Sequence, residues 1–194
     1  MVKKEEWIKW LKEAPTNGAS LTTAKQDGLN YCGVEASKTM ALTDWYKVKT
    51  VFWNFEIVSY DMGVPISIMA AIASRESRCG RVLKDGWGDN GNAFGIMQID
   101  KRYHQIHGDF DPIGTVHIAH AVVILIEKFN EVKRIHPDWE GPYLLKGAIA
   151  AYNFGSKNVK TKNGVDEGTT GNDYSSDVIA RAQFYQFLIE EQNL

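Results

Sequence analysis

"ISIMAAIASRESRCG", residues 66 to 80, decides how the rest of the chain is read. Steps of three and four align Ile68, Met69 and Ile72 as one apolar stripe, and the next position on that stripe is Glu76. Pro65 suits the first turn of such a helix, and Gly80 suits its end. A carboxylate on the inward face of a helix is costly unless it meets a cation or keeps its proton to unusually high pH. The second outcome supplies an acid near neutrality. The segment therefore predicts a core helix ending in a chemically useful glutamate.

Upstream, residues 34 to 60 read as two helices, and the amphipathic segment around Trp7, Ile8, Trp10 and Leu11 stops at Pro15 and is expected to be a peripheral arm. Downstream, "DGWGDNGN" (85–92) holds three glycines and an Asn-Gly pair, which favours a loop or hairpin. "AFGIMQID" (93–100) reads as one short strand with Ile96, Gln98 and Asp100 on one face and Gly95, Met97 and Ile99 on the other. Helical spacing returns after residue 113 with Ile118, Val122, Leu125, Ile126 and Phe129, ahead of Pro137, and predicts a central helix. Two more helices are expected, from Pro142 to Gly155 and from about Asp173 with Tyr174, Val178, Ala182, Tyr185 and Ile189 aligned. The fold class is α+β, predominantly α, with helices around one minor sheet and residues 1–194 as a single domain.

The composition, 44% hydrophobic and 24% charged over 194 residues, supports one substantial core. A formal net charge of −2 provides no global basic field, so nucleic acid is not an expected partner. The opening "MVKKEEWIKWLKEAP" lacks the roughly 7–15-residue apolar core of a signal peptide, and no later stretch reaches membrane-spanning length, so a soluble chain without membrane insertion is expected. Cys32 and Cys79 are read as free thiols. His104 with His107, and His117 with His120, have three-residue spacing, yet no HExxH pattern or third ligand accompanies them, and neither a metal nor another cofactor is expected. There is no Gly-x-Ser-x-Gly elbow, and Cys79 among apolar residues reads as packing rather than as a nucleophile.

Three carboxylates remain. Glu76 lies at a helix end, Asp89 in the glycine-rich turn and Asp100 at the end of the expected strand, places that can converge on one cleft. Taken alone, Asp89 before Asn90-Gly91 is as well explained by turn stabilisation. Together, a protonated carboxylic acid facing ionised carboxylates is an arrangement that cleaves glycosidic bonds.

"SRES" (74–77), "GWGDNGNAFGIMQIDKR" (86–102), "LKGAIAAYNFGSKNV" (145–159) and "DYSSDVIARAQFY" (173–185) closely resemble the goose-type (g-type) lysozymes, and the likeness runs from about Asn17 to Tyr185. The resemblance implies a lysozyme-like fold with residues 61–190 as catalytic core, no cofactor, and hydrolysis of the β-1,4 bond between N-acetylmuramic acid and N-acetylglucosamine in peptidoglycan. It casts Glu76 as general acid, with Asp89 and Asp100 positioning water in an inverting reaction, where carboxyl groups typically stand about 6.5–9.5 Å apart. Gln98, His104, Tyr152, Asn153 and Tyr174 match positions lining the sugar-binding cleft, where rings stack on sugars and amides bond N-acetyl groups. It also implies a monomer that acts outside the cell on peptidoglycan or N-acetylglucosamine oligosaccharides, with a cytoplasmic form as the alternative. The departures are local. Leu21 and Met62 stand where bird members have half-cystines, so neither of their disulfides forms and the pattern is closest to cysteine-poor fish members; Lys128 falls at an aromatic cleft position. Two rivals share the framework: a lytic transglycosylase, which needs one glutamate and no water-holding pair, and a glycan-binding protein without turnover.

Overall fold

Among residues 2–108 and 110–194, which the computed structural model describes, eight α-helices pack beside a three-stranded antiparallel sheet. The helix read first, α5 (Ile66–Ser77), is the central one, and every residue from 66 to 74 is buried. Ala70, Ala71 and Ala73 keep it thin, so neighbours can close on every side of it. Its most extensive partner is α8 (Tyr174–Gln192), and α3 (Val34–Thr50) and α4 (Phe52–Met62) complete the jacket. The long helix α6 (Thr115–Ile135), expected to be a central helix, is amphipathic. It buries Ile118, Val122, Leu125 and Phe129 while Val116 and Val123 face solvent. α7 (Gly141–Phe154) packs on both α6 and α8, with Pro142 in its first turn.

The N-terminal helix α1 (Lys4–Glu13) is not peripheral. Trp7 and Leu11 are buried, and Trp7 and Trp10 pack on Phe129 of α6 at ring-centroid distances of 4.9 and 5.8 Å. The short α2 (Leu21–Lys25) follows, capped by Ser20, whose hydroxyl accepts from the Thr23 amide.

The sheet corrects the reading of residues 93–100. Instead of one strand, β2 (Ala93–Phe94) and β3 (Ile99–Asp100) pair antiparallel, Ala93 opposite Asp100 and Phe94 opposite Ile99, while β1 (Trp87–Gly88) pairs with the far side of β2. Residues 95–98 form the turn between them. Gly95 has φ +73°, and a β-carbon there would lie 2.3 Å from the His117 ring, so the chain reverses where only glycine fits. Ile96 and Met97 are adjacent yet both fully buried, which a half-buried strand does not allow. A buried apolar turn had imitated strand alternation. The α5 terminus is fastened to this turn: the Ser77 hydroxyl donates to the Ile96 carbonyl at 2.8 Å.

Candidate active site

A cleft of about 780 Å³ opens between the C-terminal end of α5 and the sheet, with α7 contributing Tyr152 and Asn153 to its lining. Glu76, Asp89 and Asp100 all face it. Glu76 sits in the last turn of α5 and is half-buried. Burial raises its pKa to about 7, outweighing the Tyr174 hydrogen bond and the Arg75 charge, which both pull it down. The Tyr174 hydroxyl donates a short bond to Glu76 Oε1.

The adjacent Arg75 is engaged elsewhere, which is why its charge does not dominate. Its guanidinium donates to Asp177 at 2.7 Å, to Asp173 at 2.9 Å and to the Thr170 carbonyl at 2.9 Å. Asp177 also pairs with the buried Arg181, and Ser74 links Arg181 to Asp44. This ionic network lies behind α5 with its charges mutually satisfied, as burial at that depth requires.

The opposite side of the cleft is wet. Asp89 begins a tight 3-10 turn, and Asp89, Asn90 and Gly91 have successive φ values of +44°, +54° and +84°. Both aspartates bind one guanidinium: Arg102 Nη2 donates to Asp89 Oδ2 at 3.0 Å and to Asp100 Oδ2 at 2.5 Å. Arg102 Nε and its backbone amide add further bonds to Asp100 at 2.9 and 2.8 Å. Hydrogen bonding from Arg102 is the main reason the Asp100 pKa lies below the usual carboxylate range. The sequence reading did not single out Arg102. An exposed turn cation carries no periodic signal; only the crowding of carboxylates hints that one is needed.

The other cleft residues divide. His104 and Tyr152 line the cleft, and the Tyr152 hydroxyl is spent on the Met97 carbonyl at 2.8 Å. Gln98 also lines it, but its amide donates to the Gly95 carbonyl at 2.8 Å and so holds the β2–β3 turn. Asn153 braces the polar connection before α8, bonding the Thr170 amide at 3.0 Å and its hydroxyl at 3.2 Å. Tyr174 is only 1% exposed, so it cannot stack on a sugar; it lies beneath Glu76 as a hydroxyl donor. Lys128 reaches the cleft with its ammonium 3.0 Å from Glu131.

Of the paired histidines, His117 serves structure. His117 is buried, accepts the Met97 amide at Nε2 at 3.1 Å, and has its pKa lowered to about 4 by burial. His104 and His107 flank His120 with ring centroids 6.2 and 5.1 Å away, and among the described residues no group of three or more His, Cys, Asp or Glu is placed to hold a metal ion. Cys32 is exposed and Cys79 buried, both as free thiols, and burial pushes the Cys79 thiol far above its ordinary pKa.

A carboxyl of raised pKa on a core helix, with two aspartates bound to one arginine on a small sheet across an open cleft, is an arrangement suited to glycoside hydrolysis. Comparison with known proteins agrees. Residues 11–187 match the family model described as Lysozyme g. The chain is 46% identical over 171 residues to a lysozyme g of Casuarius casuarius, covering 88% of this chain and 91% of that one. It is 44% identical to that of Gallus gallus, covering 88% and 80%, and 42% identical over 184 residues to that of the fish Takifugu rubripes, covering 91% and 95%. The chain belongs to the lysozyme g family.

Proposed function

We propose that this protein is a muramidase that hydrolyses the β-1,4 bond between N-acetylmuramic acid and N-acetylglucosamine in bacterial peptidoglycan, with inversion at the anomeric carbon. The observation that carries the reading is the opposition of protonation states: Glu76 titrates near 7, while Arg102 holds the Asp100 pKa down. Because Tyr174 occupies Glu76 Oε1, the proton resides on Oε2 and passes to the glycosidic oxygen as the bond breaks. Asp89 and Asp100 hold water against the opposite face of the sugar ring. His104 and Tyr152, with Gln98 and Asn153 beside them, form the sugar-binding surface. The reaction needs no cofactor, because acid, carboxylates and water balance it.

The substrate places the action outside the producing cell, with the protein working as a monomer on the wall polymer. Among the described residues, no helix is long and apolar enough to cross a membrane. Mass analysis of fragments released from purified peptidoglycan tests the reading. Fragments with an added water and a free reducing end, absent from a Glu76→Gln digest, are expected. Anhydro-muramyl ends would make the enzyme a transglycosylase, and intact glycan would leave a binding protein.

A further inference from the structure

The two aspartates have been treated as equivalent partners of the attacking water, yet Arg102 treats them differently. Asp100 accepts four bonds from it: the backbone amide and Nε at Oδ1, at 2.8 and 2.9 Å, and Nη2 and Nε at Oδ2, at 2.5 and 3.0 Å. Asp89 accepts one, at Oδ2. Among the described residues, no hydrogen bond reaches Asp89 Oδ1. The Asp89 side chain is 51% exposed, against 24% for Asp100. Both oxygens of Asp100 are thus engaged by the cation, whereas Asp89 keeps one oxygen open to accept a hydrogen bond or a proton. Asp89 is also a non-glycine residue held in the left-handed region, a cost that is tolerated where placement matters.

On the muramidase reading, we infer that Arg102 divides the pair unequally: it fixes Asp100 as an ionised anchor and leaves Asp89 as the carboxylate that takes the proton from water. In the step, the water oxygen forms its bond to the anomeric carbon as the carbon–oxygen bond to the leaving sugar breaks. Glu76 gives its proton to that leaving oxygen, and Asp89 Oδ1 receives one from the water. Exchange with solvent then returns Glu76 to its acid form and Asp89 to its base form. Arg102 is a positioning residue with an electrostatic duty besides. Both Oδ2 atoms touch its Nη2, and without that cation the two neighbouring carboxylates repel each other, which disfavours their charged forms.

The test measures kcat, KM and pH–rate profiles on a soluble peptidoglycan oligomer for the wild type, Asp89→Asn, Asp100→Asn, Arg102→Gln, Arg102→Lys and the Asp100→Asn/Arg102→Gln double variant. Asp89→Asn should lower kcat about 100-fold or more, the scale of losing a general base. Asp100→Asn should cost about tenfold, mostly in kcat, since it removes orientation and leaves the base. Arg102→Gln should cost a similar factor and move the acid limb of the profile upward by about one pH unit, while Arg102→Lys, which keeps the charge, restores the limb. The double variant should be no worse than either single, because Asp100 and Arg102 act as one unit. Arg102 is half exposed, so its replacement leaves the core intact, and the lysine variant carries the same comparison. A larger loss from Asp100→Asn than from Asp89→Asn, or an unmoved acid limb in Arg102→Gln, overturns the inference and leaves the muramidase reading standing. Absence of water-added products from the wild type overturns both.

Discussion

Glu76 and Asp100 face the same cleft, and their surroundings push them in opposite directions. On the α5 side the carboxyl is packed among a buried tyrosine hydroxyl and apolar residues, the nearest arginine is tied up by Asp173 and Asp177, and desolvation wins. On the sheet side the carboxylates stand at the solvent edge around a guanidinium, and hydrogen bonding wins. Function therefore depends less on which residue type is present than on where the nearest cation points. Arg75 is adjacent to Glu76 in sequence yet serves a buried network; Arg102 lies in an exposed turn and serves the cleft.

The largest effect expected from breaking this contrast is at Glu76. Glu76→Gln keeps the shape and hydrogen bonds but cannot deliver a proton, so lysis of cell walls should fall by about 10²–10⁴-fold with the fold unchanged. Turnover near the wild-type level would remove Glu76 from the mechanism. The pH dependence sharpens the same point. In the proposed acid role Glu76 acts in its protonated form, so activity should decline as pH rises through about 7, and a rate still climbing between pH 7 and 8 would contradict that role.

Stability follows with a definite sign. A folded-state pKa raised from 4.5 to about 7 favours the fold below pH 4.5, and that contribution is lost progressively as pH rises through 7. Above pH 7 the wild type must hold a charged Glu76, and Glu76→Gln should be more stable by on the order of 2 kcal/mol. Chemical denaturation of both proteins at pH 4 and pH 8 checks this; an equal difference at the two pH values would rule it out. The smallest effect concerns Tyr174. Its hydroxyl pulls the Glu76 pKa down, so Tyr174→Phe should move the alkaline limb of the rate profile upward by less than about one pH unit. A downward movement would reverse the assigned role.

Much of this arrangement was legible because it rests on helical period. The α5 stripe pointed to Glu76, and the α8 pattern of Tyr174, Val178, Ala182, Tyr185 and Ile189 is buried as the spacing requires. The "GWGDNGN" turn located Asp89 for the same kind of local reason, its glycines and Asn-Gly pair. What escaped depends on contacts distant in sequence. α1 joined the core through Phe129, more than a hundred residues away, and Gly95 takes its turn conformation against His117. Tyr174 became a buried donor rather than a sugar platform because α5 lies directly against α8. Arg102 had no pattern to betray it.

The most direct test of the opposition between the two sides is carbon-13 NMR titration of the side-chain carboxyls in protein labelled at Glu and Asp, with Glu76→Gln and Asp100→Asn used to assign the signals. The account predicts a Glu76 carboxyl that titrates near 7 and an Asp100 carboxylate that stays ionised to below the ordinary aspartate range. A Glu76 signal titrating near 4.5, alongside an ordinary Asp100, would show that the two sides of the cleft do not differ and would contradict the account.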